Sequence, residues 1–183
     1  MKEGVRLLVA VSGPLKGKST LALGIVSRTG IIEGVVSTKV RADGTDSTGK
    51  LIELFSSTRF KEQVKLIVIN GIGFAGLNIL DVQVLKKKTG AEVISVTRKK
   101  PHPSELIKAL KAFSKQEKWD VSSRLDLVKK IGELKEYRHD GYYVQTTLEK
   151  GESAKFVSEA VRLLRLAHLI ASGVVLGESK GRV

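Results

Sequence analysis

VSGPLKGKST, Val11 to Thr20, follows directly on the apolar run VRLLVAV, and its reading decides between two folds. A phosphate-binding loop needs G-x-x-x-x-G-K-[ST], so that enough backbone N–H groups wrap the phosphates ahead of a helix N-terminus. Only Pro14, Leu15 and Lys16 separate Gly13 from Gly17, so the loop is one residue short. Pro14 also removes an amide that should point inward. The continuation, TLALGIVSRTGIIEGVVSTKV, is rich in β-branched residues and broken by Gly24, Gly30 and Gly34, which predicts strands in place of the required helix. The stretch therefore reads as a basic turn between two strands, with Lys16 and Lys18 placed to touch phosphates.

Working outward, three strands are expected over Val5–Ser12, Thr20–Thr29 and Ile31–Ala42, joined by glycine-containing turns. Asp43-Gly44 ends the third, and Leu51, Leu54 and Phe55 mark a helix over Ser47–Ser57. KLIVING is a buried strand ending at Gly71. A loop, IGFAG, leads to a helix with Ile79, Val82 and Leu85 on its apolar face, capped by Gly90. AEVISVT is a further strand. It runs into a basic loop, Arg98-Lys99-Lys100-Pro101-His102-Pro103, before a helix that begins at Ser104. Val121–Tyr137 reads as a charged helical stretch, GYYVQTTL as a strand, and Ser153–Ala171 as an amphipathic helix. Three antiparallel strands followed by strand-helix units that extend the sheet in parallel is the order of the ribonuclease H-like α/β fold, with helices on both faces. No repeat or linker interrupts it, so residues 1–183 are expected to form one domain.

Composition narrows the function classes. The chain of 183 residues carries 32 Lys and Arg against 19 Asp and Glu, a formal charge of +13. That excess favours polyanions, either nucleic acid or an anionic surface; the plainer alternative is a lysine-rich solvated surface. The absence of cysteine excludes disulfides and thiolate metal sites and fits a reducing cytoplasm. No apolar run reaches the ~20 residues of a membrane helix, and MKEG has no signal-like character.

Longer stretches carry a resemblance. GVVSTKVRADGTDSTGKLIELFSSTRF, LIVINGIGFAGLNILDVQVLKKKTG and LRLAHLIASGVVLGESKGR resemble the archaeal family of endonuclease V-like proteins. The similarity to endonuclease V itself is more distant. Its D-G-x-G strand end looks like Asn70-Gly71-Ile72-Gly73, and its G-L-A helix start like Gly76-Leu77-Asn78. Its G-V-A-K strand looks like Ser95-Val96-Thr97-Arg98, and its R-L-A-H/D segment like Arg165-Leu166-Ala167-His168. The resemblance implies a Mg²⁺- or Mn²⁺-dependent nuclease that cuts DNA or RNA near deaminated bases such as inosine.

Against that pattern the acids are depleted. The first-strand aspartates fall on Val11 and Ser12, and the fourth-strand aspartate falls on Asn70. Only the third position keeps a carboxylate, Asp46, which as the residue before Ser47 is equally placed to cap a helix. Metal-assisted phosphodiester cleavage needs several such groups. The reading that follows is a nucleic-acid-binding protein of nuclease-like fold without nuclease activity and without a cofactor. A second reading is a metal-dependent endonuclease with a rearranged site, in which Asp46 is joined by Asp43, Asp81 or, speculatively, Glu178. A third is a protein-interaction module.

For binding, Gly71, Gly73 and Gly76 allow close backbone approach to a ligand or simply make a sharp turn. Phe74 is placed either to stack on a base or to plug the core. Arg98, Lys99, Lys100 and His102 form a cationic loop suited to phosphates. Arg162, Arg165 and His168 share one side of the last helix. Lys86-Lys87-Lys88 fits a solvated helix C-terminus. The tail Gly177-Glu178-Ser179-Lys180-Gly181-Arg182 recurs in the resembled family, and no physical account of it follows from the sequence.

Overall fold

The computed structural model describes residues 4–117 and 121–179. The run after the opening turn is a strand, as its β-branched composition demands. β1 (Arg6–Ser12) and β2 (Ser19–Arg28) pair antiparallel with Ser12 opposite Ala22, and β2 pairs antiparallel with β3 (Ile31–Arg41). Thr29 and Gly30 both take positive φ in the β2–β3 turn, the left-handed pair that suits a tight hairpin. No helix follows Gly17, so the phosphate-loop reading fails on geometry as well as on spacing.

After α1 (Ser47–Ser57), β4 (Val64–Ile69) lies parallel to β1. A small antiparallel pair, β5 (Gly73–Phe74) and β6 (Asn78–Ile79), precedes α2 (Val82–Thr89). β7 (Glu92–Thr97) then adds parallel to β4. α3 (Pro103–Glu117) and α4 (Ser122–Lys130) lead to β8 (Lys135–His139) and β9 (Tyr142–Thr146). α5 (Lys150–Ser153) and the long α6 (Val157–Leu176) complete the described chain.

The main sheet has seven strands in the order β3-β2-β1-β4-β7-β9-β8. This mixed sheet with helices on both faces is a ribonuclease H-like architecture. Its far edge departs from the expected parallel extension, because β9 runs antiparallel to both β7 and β8. The expected helix over Val121–Tyr137 stops at Lys130, and KEYRH forms β8 instead. Alternating charges there suit a strand whose solvent side is free, and Asp140-Gly141, both at positive φ, close the hairpin.

Two cores flank the sheet, and strand alternation assigns each residue to one of them. Leu8 and Ala10 belong to the cluster covered by α1 and α2, whereas Leu7, Val9 and Val11 belong to the cluster under α6. On β4, Ile67 and Ile69 face the first cluster and Leu66 and Val68 the second. Continuing the alternation, Ser12 falls on the α1 face and Asn70 on the α6 face. Among the described residues, no helix is long and apolar enough to cross a membrane.

Candidate nucleic-acid interface

On the α6 face, a groove of about 700 Å³ opens where β4, β7 and β9 end against the last helix. Residues three and four apart share a helix face, so Ser158, Arg162, Arg165, His168 and Ser172 project from one side of α6 along the groove. The opposite wall carries Asn70, Val96, Arg98, Lys99 and Tyr142. Arg162 is tied down, donating from Nη2 to the Gly30 carbonyl at 3.1 Å. Among the described residues, no carboxylate pairs with Arg98, Lys99 or Arg165.

At the groove's floor the Asn70 amide nitrogen lies 3.1 Å from Nε2 of His168. Burial lowers the His168 pKa below the ordinary histidine value, favouring the neutral ring. With the ring proton on Nδ1, Nε2 accepts from Asn70 and fixes the amide. That leaves the Asn70 carbonyl oxygen and its second N–H for a ligand.

The α1 face is arranged differently. Ser12 Oγ accepts from the Ala75 N–H at 3.0 Å, and Asp43 Oδ1 accepts from the Leu77 N–H at 2.7 Å. The Asp43 N–H donates to the Ala75 carbonyl at 2.9 Å. Asp43 and Ala75 both hold positive φ, at 51° and 53°, a conformation that costs a side-chain-bearing residue and persists only where its surroundings impose it. Arg124 of α4, 6% exposed, completes the clamp, with Nη2 donating to the carbonyls of Asp43 at 2.8 Å and Gly44 at 2.9 Å. Nothing in the sequence of a charged helix marks Arg124 as a buried residue; its partners are some eighty positions away.

Asp46 belongs to this network too, and its expected capping role goes to another residue. Its side chain makes no cap hydrogen bond. Instead Oδ1 accepts from the Asn78 amide at 2.7 Å, while Asn78 Oδ1 accepts from the Ser47 N–H at 3.0 Å. Asn78, fully buried, does the capping across thirty residues of chain. Asp81 sits at the N-cap of α2 and not within it, accepting from Val84 N–H at 2.9 Å and pairing with Lys130 at 3.0 Å. Ile79, expected on that helix, lies in β6.

These arrangements decide the fit of a divalent ion. Asp43 Oδ1 accepts from Leu77 and Asp46 Oδ1 from Asn78, and Asn70 lies on the other face beside His168. Val11, 1% exposed, is packed under α6. Among the described residues, no group of three or more His, Asp or Glu side chains could hold a metal. The donor set does not fit the carboxylate-held Mg²⁺ or Mn²⁺ that the nuclease resemblance implies.

Other expected site residues divide between the two faces. Phe74 is 3% exposed in the α1-side core, so its ring plugs the core and is closed to a base; the aromatic ring open to the groove is Tyr142. Gly71, at φ 78°, begins the turn that leaves Asn70, and Gly73 and Gly76 are exposed on the loop. A Cβ at Gly76 would overlap the Asp43 carboxylate, so this glycine is required by the clamp. Lys100 and His102 are exposed outside the groove lining. Ser179 lines the groove and Glu178 is exposed; Lys180, Gly181 and Arg182 lie outside the described residues.

A sequence profile of the family described as endonuclease dU matches residues 5–175. A UPF0215 protein of Methanothermobacter thermautotrophicus is 34% identical, covering 99% of this chain and 93% of its own. The crystal structure of a protein of unknown function from Archaeoglobus fulgidus superposes with TM-score 0.81 at 28% identity, covering 93% of this chain and 98% of that one. Endonuclease V of Ciona intestinalis, solved with a 24mer DNA containing an inosine followed by a ribo-adenosine, shares the fold at TM-score 0.52 and 11% identity. That match covers 85% of this chain and 77% of the Ciona chain.

Proposed function

We propose that this chain, which belongs to the endonuclease dU family, binds DNA at deoxyuridine along the α6 groove and cleaves the strand there. The observation that carries the reading is the convergence on one groove of Arg98, Lys99 and Arg165, which meet no carboxylate among the described residues, beside the Asn70–His168 pair. The cations take phosphates, and Tyr142 offers a ring on which a base can stack. Uracil presents a carbonyl and an N–H on one edge, and the remaining Asn70 carbonyl and N–H match that pair. His168, its pKa lowered by burial, accepts from the Asn70 amide and so positions the group that reads the base. No step is assigned to a metal ion.

One observation favours a second reading, binding without cleavage: Val11, Ser12 and Asn70 stand where the related nuclease pattern carries acids. Labelled single-stranded and duplex DNA carrying deoxyuridine, inosine or cytosine, and the matching RNAs, would be titrated in Mg²⁺, Mn²⁺ or EDTA and scored for binding and scission. Scission selective for deoxyuridine, lost in His168→Ala and kept in Asp46→Ala, is the expected result. Metal-dependent scission abolished by Asp46→Ala would overturn the groove as the reaction centre. Salt-sensitive binding without scission would establish the second reading, and no binding would turn the search to an acidic protein partner.

A further inference from the structure

We propose that two copies of this chain pair through β3, antiparallel and edge to edge about a two-fold axis near Val35, to form a symmetric dimer with one continuous sheet. The dimer stands apart from the DNA-binding reading and does not depend on it.

β3 is an outer strand of the main sheet, so every second residue turns its N–H and C=O away from β2. Such an edge accepts another strand unless it is short, covered, or broken by proline or free charge. At eleven residues β3 is the longest strand among the described residues, and it contains no proline. Residues 31–37 carry one charge, Glu33. That carboxylate is already engaged, by Arg6 Nε at 2.6 Å and Arg28 Nε at 3.5 Å.

Apolar side chains flank this free edge on both faces. The register of β3 on β2 shifts at Glu33, so Ile32 stands opposite Ser27 and Val35 opposite Ile25. Both of those β2 residues face α6: Ser27 donates to Glu159, and Ile25 lies in the cluster beneath the helix. α6 packs on β1 and β2 and leaves Ile32 and Val35 43% and 51% exposed, with Ile31 at 68%. On the other face the Phe60 ring lies over Gly34, with Cε2 3.9 Å from where a Cβ would stand, and Val36 packs at the margin of the α1-side core. Apolar neighbours on both faces hold a paired strand in register.

Charge selects the occupant and its direction. Residues 31–37 offer no cation to a nucleic acid or to an acidic protein, whereas a second copy of the same stretch matches it in polarity and length. Lys39 and Arg41 lie at the strand's end, so parallel pairing would set each beside its own copy. Antiparallel pairing centred on Val35 instead sets Lys39 opposite Ile31 and carries the cationic ends to opposite margins. That direction is also the one a two-fold axis imposes when the same patch meets itself.

The chain has no cysteine, so a single introduced one reports its own surroundings. Full-length protein without nucleic acid would be followed by sedimentation velocity across a concentration series, and a monomer–dimer equilibrium is expected. Val35→Lys, which sets two ammonium groups face to face at the axis, should weaken the dimer about tenfold or more while keeping the far-ultraviolet circular dichroism of wild type. With a short bismaleimide, Val35→Cys should cross-link to a dimer. Lys39→Cys should not, because the two copies of that position stand about 27 Å apart along the paired strands. Wild type that sediments as a monomer at every concentration would overturn the proposal, and so would open-ended assembly beyond the dimer. A dimer that survives Val35→Lys, or that cross-links as readily through Lys39→Cys as through Val35→Cys, would place the interface elsewhere and overturn the β3 pairing.

Discussion

The two faces of the sheet's upper end hold similar numbers of polar side chains and use them oppositely. On the α1 face, Ser12, Asp43, Asp46, Asn78 and Arg124 satisfy one another and the backbone of the Ala75–Leu77 loop. On the α6 face, Arg98, Lys99 and Arg165 find no carboxylate among the described residues, and only Asn70 and His168 engage each other. Polar groups whose hydrogen bonds close within the protein build rigidity, and those left facing a groove are available to a ligand. The carboxylates expected at a reaction centre belong to the first class.

The comparison breaks most visibly at Arg124. Arg124→Met would leave two half-buried carbonyls without their charged donor and bury a side chain with no partner for them, and should destabilise the fold by about 2 kcal/mol, read as a lower denaturant midpoint. A loss below about 0.5 kcal/mol would mean that the clamp does not hold the turn. Gly76→Ala comes next. Its φ of 83° and the overlap with the Asp43 carboxylate should cost about 2 kcal/mol, and part of that should return in the double variant with Asp43→Ala.

On the open face, removal of charge should leave stability unchanged and act on binding. Each of Arg98→Ala, Lys99→Ala and Arg165→Ala should lower the slope of log affinity against log salt by about 0.9 on duplex DNA, with an unchanged thermal midpoint. The smallest expected effect is the pH response of His168. Its folded pKa is depressed by burial, so the neutral ring contributes stability above the unfolded value of about 6.5 that is lost as pH falls through the folded value. A His168→Gln protein should show a flatter stability profile across that acid window.

Much of the fold was legible because its decisive signals are local. Spacing around Gly13 and Gly17, β-branched runs and the Asp43-Gly44 turn gave the first three strands nearly to the residue. The edge hairpin was less legible, because KEYRH carries a charged pattern that a helix shares and only pairing with Tyr142–Thr146 makes it a strand. The groove cations were readable from the basic loop and from the spacing on α6. Arg124, Asn78 and Tyr142 were not, since each acquires its role from partners or walls far off in sequence. Phe74 illustrates the same limit: an aromatic in a glycine-rich loop looks available until packing buries it.

Val11 carries a consequence for how this surface can change over time. At 1% exposure under α6, the position is closed to a charged side chain unless the helix shifts. Val11→Asp alone would bury a carboxylate with no cation in place to neutralise it, and Asn70→Asp alone would remove the amide N–H shared with His168. Each single step toward an acid-rich centre therefore passes through a less stable or less ordered protein.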